Sequence, residues 1–148
     1  MTDIVSIQKE WTIMSELGQE KYVMRELRNT FQELQIEEPR IEEMITAVSE
    51  ACLNAIEHGN KLMKDLLVNV NLLIQVDRYT FRIMDDGNGT QIGDINPVVY
   101  VGRKLEWDNP RGWGLQLMSH YADSVLTTCY KGKFCIELHF LRMGAGDL

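Results

Sequence analysis

Apolar residues change their spacing twice along this chain, and that order of periods limits the possible folds more than any other feature. From Glu20 to Leu34, the residues Val23, Met24, Leu27, Phe31 and Leu34 recur at three- and four-residue intervals, the stripe of an amphipathic helix. A second helix is predicted from Pro39, a residue favoured in a first turn, to His58. Glu42 and Glu43 suit its positive end, and Gly59 is a natural residue just past its C-terminus. Along it Ile41, Met44, Ile45, Val48, Cys52, Ala55 and Ile56 form one apolar face.

Period two then takes over. Val68, Val70, Leu72, Ile74 and Val76 alternate with mostly polar neighbours, and after a turn at Asp77-Arg78 the residues Phe81 and Ile83 continue the pattern as an antiparallel partner. Helical spacing returns from Gly112 to Tyr121 through Leu115, Leu117 and Met118. A last hairpin pairs about Ser124–Tyr130 with Phe134–Leu141; Phe134, Ile136, Leu138 and Phe140 share one face and Lys131-Gly132 makes the turn. With a weak first strand at about residues 4–14, the order is β-α-α-β-β-loop-α-β-β. Thr90 to Arg111 shows no convincing period, only Gly93, Pro97, Gly102 and Pro110 among mixed residues, and is read as a lid candidate.

The 148 residues fit one compact domain that needs neither disulfides nor structural metal. Fifteen Lys+Arg against 22 Asp+Glu leave a net charge of −7, the wrong sign for holding nucleic acid by bulk electrostatics. Cys52, Cys129 and Cys135 are odd in number and form no CxxC pair, so a reducing, cytoplasmic setting is expected. The N-terminal residues lack a signal-peptide pattern, and Leu66 to Val76 is too short and too polar to span a bilayer.

Three clusters carry chemistry. In the second helix, Glu50, Asn54 and His58 form a polar column beside the small residues Ala47 and Ala51, which would leave room for a ligand. Asp85-Asp86-Gly87-Asn88-Gly89 follows a strand; a carboxylate there can accept a hydrogen bond from an exocyclic amine, and the glycines permit close backbone approach. Arg111-Gly112-Trp113-Gly114-Leu115 opens a helix whose free N–H groups, with the arginine beside them, suit phosphate. Singly these read as a solvated helix face, an ordinary turn and a glycine hinge. No Walker-type P-loop is present.

In this fixed order the three resemble the GHKL (Bergerat-fold) ATP-binding superfamily, the Asn-bearing helix matching its N box and the glycine motifs its G1 and G2 boxes. Within it, SEACLNAIEHGN, MDDGNG and NPRGWGLQLM are similar to the anti-sigma factor serine/threonine kinases of bacteria. The resemblance covers nearly the whole chain and implies a single GHKL-type histidine-kinase-like ATPase domain over residues 1–148. The implied fold is an α/β (α+β) two-layer sandwich: a mixed, mostly antiparallel sheet covered on one face by three helices, with an ATP lid.

It further implies ATP and Mg²⁺ as ligands. Glu50 would be the general base, Asn54 the Mg²⁺ ligand, and Asp85 the acceptor for the adenine amine. Gly87 and Gly89 would shape the floor and lid hinge; Arg111, Gly112, Gly114 and Leu115 would hold phosphates, with His58 at the family's His-Gly position. Related proteins often carry Gly-Thr in the final hairpin, where the hydroxyl approaches phosphate; here the stretch reads Gly132-Lys-Phe-Cys135, and a cysteine supplies that hydrogen bond poorly. The length leaves no room for the transducer domain of gyrase-type ATPases or the helical hairpin of sensor histidine kinases. The implied function is an anti-sigma factor that phosphorylates a STAS-domain anti-anti-sigma protein and sequesters a sigma factor, as a homodimer, with no direct contact to nucleic acid or membrane. The alternative is a non-catalytic nucleotide-binding module that switches a partner.

Overall fold

The computed structural model describes residues 6–86, 98–100, 118–130 and 132–142. Strand β1 (Ile7–Met14) leads into helices α1 (Glu20–Glu33) and α2 (Glu38–Asn54), and α2 runs on into a π turn, Ala55–Gly59. Strands β2 (Leu67–Ile74), β3 (Arg78–Asp85), β4 (Val98–Tyr100), β5 (Ser124–Tyr130) and β6 (Lys133–Leu141) follow, with residues 118–121 helical before β5. The sheet order is β1-β2-β3-β6-β5-β4. Every pairing among the described residues is antiparallel, which narrows the expected mixed sheet to its antiparallel form.

Period-two alternation decides which side of the sheet the helices cover. Val68, Val70, Leu72 and Ile74 of β2, Phe81 and Ile83 of β3, and Phe134, Ile136, Leu138 and Phe140 of β6 are all buried in one core with Val23, Leu27 and Phe31 of α1. The predicted apolar face of α2, from Ile41 to Ile56, is buried there too, as is Met118. Phe31 joins the layers: its ring meets Tyr79 and Phe81 edge-on at centroid distances of 5.5 and 6.2 Å, and Phe81 meets Phe140 at 5.8 Å. Such pairs add about 0.5–1.5 kcal/mol each beyond the area they bury. At the other end of α2, Arg40 donates to the Leu141 carbonyl (2.8 Å) and lies 5.4 Å from the centroid of the Phe140 ring, tying the helix start to β6.

Three details depart from the expected elements. Part of the lid candidate is a strand: Val98, Val99 and Tyr100 pair with Thr127, Leu126 and Val125, a run too short to show a period. Val76 lies in the β2–β3 turn, 68% exposed, because Gln75 N donates to the Arg78 carbonyl and closes the hairpin before it. Ala47 and Ala51 are fully buried in the core, so they pack against the sheet instead of flanking a ligand. In the β5–β6 turn, Tyr130 pairs with Lys133 and Gly132 takes φ +80°, which glycine adopts without strain.

Candidate nucleotide site

The end of α2 does not finish as an α-helix. After Asn54 the chain widens into one π turn, in which the Asn60 N–H donates to the Ala55 carbonyl at 2.8 Å, and the Leu62 N–H then reaches back to the Ile56 carbonyl at 2.8 Å. Such turns concentrate at functional sites because the extra residue redirects side chains within a packed helix. Asn60 anchors the exit: fully buried, its amide nitrogen donates to Ser15 Oγ (2.7 Å) and to the Leu67 carbonyl (3.1 Å), while Ser15 Oγ donates to the Leu66 carbonyl (2.5 Å).

Gly59 was expected just past the helix C-terminus, where glycine usually takes a left-handed φ. Among the described residues, Lys61 and Leu62 take left-handed values there (+54° and +61°), and Gly59 does not. What glycine supplies at 59 is space. A Cβ on it would fall 2.8 Å from Asp85 Oδ1 and closer still to Oδ2 and Cγ. The Asp85 carboxylate, 2% exposed at the end of β3, therefore rests on the glycine backbone.

Alternation along β3 separates the two adjacent aspartates. Asp85 shares the inner face with Phe81 and Ile83. Asp86, the next residue, accepts from the Leu67 N–H (3.2 Å) and pairs with Lys133 Nζ (2.6 Å), tying the ends of β2, β3 and β6 together. The Lys133 hydrogen bond holds the Asp86 carboxyl below its ordinary value, although burial opposes it. Asp86 is thus a structural tie, and Asp85 is the carboxylate that lies on the helix side.

Glu50 and Asn54 lie one turn apart on α2, about 6 Å along its axis. Burial, followed by the like charge of Glu57, raises the Glu50 carboxyl above the usual carboxylate range. Asn54 is 6% exposed, and its amide nitrogen has no hydrogen-bond partner among the described residues. A buried amide group left this way costs about 1–3 kcal/mol, a cost that a bound polar ligand removes. A half-turn of the amide presents its oxygen instead. That oxygen is a hard donor of the kind Mg²⁺ accepts. Among the described residues no group of three or more His, Cys, Asp and Glu could hold a metal ion. His58 lies half-buried in the π turn, beyond the regular α-helical step that placed it in a column with Glu50 and Asn54. Gly87, Gly89, Arg111, Gly112, Gly114 and Leu115 lie outside the described residues.

Cys135 is not at the site. It pairs with Met84 and Thr128, while Phe134, one residue earlier, is the β6 residue opposite Asp85 on the core side. Cys135 faces the other side of the sheet, in a cavity of about 510 Å³ lined also by Gln8, Asn71, Thr80, Arg82 and Glu137. Burial there pushes its thiol up to about 11. The phosphate contact read at Cys135 therefore belongs to another face; the inner-face position holds Phe134, an apolar ring.

Residues 13–138, from the end of β1 into β6, match the sequence profile of the histidine kinase-like ATPase domain. The chain belongs to this family. The end of α2 and the end of β3, brought together by Gly59 and Asp85, both fall within the matched span of this ATPase-type domain. A crystal structure of the RsbU and RsbW domains of a Mycobacterium tuberculosis protein is similar to 91% of this chain and to 32% of that one, with a TM-score of 0.61 and 17% identity. The likeness is one of fold, and this chain spans about a third of the length of that one. A comparison with curated protein sequences found no significant match.

Proposed function

We propose that this domain is an ATP-dependent serine/threonine protein kinase of the anti-sigma factor type, acting in the cytoplasm as a homodimer. Its substrate on this reading is a STAS-domain anti-anti-sigma protein, and its second partner a sigma factor that it sequesters. The observation that carries the reading is the buried, unpartnered Asn54 amide one turn from Glu50 and about one turn before the Gly59–Asp85 contact. Those groups match in type and order the magnesium, base and adenine positions that the family resemblance implies. No helix among the described residues is long and apolar enough to cross a membrane.

Mechanistically, Asp85 accepts the adenine amine, and Asn54 supplies the side chain that holds Mg²⁺ against the phosphates. When bound, Mg²⁺ neutralises charge on the phosphate oxygens. Glu50 accepts the proton of the attacking serine or threonine hydroxyl. The hydroxyl oxygen forms a bond to the γ-phosphorus as the bond from γ-phosphorus to the bridging oxygen breaks, and ADP leaves. A raised Glu50 carboxyl suits this task, because a base of higher pKa takes the proton with more driving force. Arg111, Gly112, Gly114 and Leu115 would hold the phosphates, with Gly87 and Gly89 at the floor and lid hinge.

Incubation with γ-labelled ATP, Mg²⁺ and a STAS-domain protein tests this. Label on a serine or threonine of that protein, lost in Glu50→Gln, is expected. Nucleotide-dependent complex formation with no label transferred would overturn the kinase assignment in favour of a binding switch.

A further inference from the structure

Gly59 combines two properties. Its backbone conformation is open to any residue, yet its side-chain space is already filled by the carboxylate of a residue from another element, Asp85. The widened turn brings this about, because its extra residue carries the helix end toward β3. The Asn60 bonds to Ser15 and Leu67 then hold that end in place. The carboxylate is thereby walled by backbone on one side and 2% exposed overall, so its plane has little freedom to rotate.

An ionised carboxylate only accepts hydrogen bonds. Held in a fixed plane it rewards a donor, such as the 6-amino group of adenine, and repels the 6-oxo group of guanine. Pushed aside by a Cβ at position 59, it would leave that orientation and lose both effects.

Resting on the nucleotide-site reading above, we propose that Gly59 is a positioning residue for base selectivity: by leaving its Cβ space to Asp85, it sets the carboxylate orientation that distinguishes 6-amino from other purines. The selectivity is built where the second helix meets the third strand.

Calorimetric titration of the full chain with Mg-ATP, Mg-GTP and the Mg-triphosphate of unsubstituted purine riboside separates the possibilities. The wild type is expected to bind ATP about 10- to 100-fold more tightly than the unsubstituted analogue, the worth of one hydrogen bond to a charged group. In Gly59→Ala, ATP affinity should fall to the level of the analogue while the analogue's own affinity moves less than about threefold, collapsing the ratio toward one. An ATP-to-analogue ratio that survives in Gly59→Ala, even with both affinities weakened, marks Gly59 as merely structural and overturns the proposal while leaving the nucleotide site intact. A wild type that binds no nucleotide overturns the site reading as well. Should Gly59→Ala fail to fold, combining it with Asp85→Ala removes the overlapping group. A melting temperature restored in the pair supports the contact, and persistent misfolding contradicts it.

Discussion

Truncating Asn60 to alanine removes the two hydrogen bonds that fix the exit of the π turn, from its amide nitrogen to Ser15 Oγ and to the Leu67 carbonyl. Each contributes about 0.5–1.5 kcal/mol net. Ser15 and Asn60 are both fully buried, so water does not readily replace the lost partner, and the total should lie at about 2–4 kcal/mol. At roughly 3 °C per kcal/mol for a domain of this size, the melting temperature should fall by about 6–12 °C. Asn60→Asp is the sharper variant. It keeps the shape but turns a donor into an acceptor facing the Leu67 carbonyl, which cannot donate. Its folded-state pKa should therefore rise above the unfolded value, so relative stability is retained below the unfolded pKa and lost as pH rises through the folded one. Urea unfolding of wild type, Asn60→Ala and Asn60→Asp between pH 4 and 8 measures all three. A cost under about 1 kcal/mol for Asn60→Ala, or an Asn60→Asp deficit independent of pH, would refute the anchor.

Glu50→Gln should lower phosphotransfer by about 10²- to 10⁴-fold, the usual contribution of a general base, without lowering the melting temperature at pH 7. The sign follows from the raised carboxyl: the ionised form is disfavoured in the folded state, so stability is greatest below the unfolded pKa and declines as pH rises through the folded one. In Glu57→Gln the acid limb of the pH–rate profile should move to lower pH, because a like charge beside Glu50 is gone; an unmoved limb would mean that Glu50 is not the titrating base. Cys135→Ser should leave the Kd for Mg-ATP within about twofold, since this side chain faces the opposite side of the sheet, whereas a larger loss would return residue 135 to the site.

Much of this architecture was legible from spacing because its helices and strands each bury one face. The stripe from Ile41 to Ile56 and the alternation from Phe134 to Phe140 are the same residues that form the core. That second pattern already put Cys135 on the face away from Phe134. Matching Cys135 to the Gly-Thr of related proteins went against it, and the strand register sides with the alternation. The π turn was not legible: five residues with helical composition read as α-helix, and what widens them is tertiary, the Asn60 anchor and the Asp85 carboxylate, both distant in sequence. Gly59 was correctly marked as special for the wrong physical reason, since glycine at a helix end usually signals a left-handed cap and here makes room for another side chain. Asp85 and Asp86 could not be ranked by composition; facing opposite sides of one strand end gives them different work.

The central claim is that Mg-ATP binds between the end of α2 and the end of β3, and the melting temperature with and without ligand tests it most directly. Ligand at 100 times its Kd adds about 2.7 kcal/mol, or roughly 8 °C for a chain of this size. The account predicts a rise of that order for Mg-ATP, little or none for Mg-GTP, and most of the rise lost in Asn54→Ala. A wild-type melting temperature that does not move with Mg-ATP at any concentration up to several millimolar would contradict it.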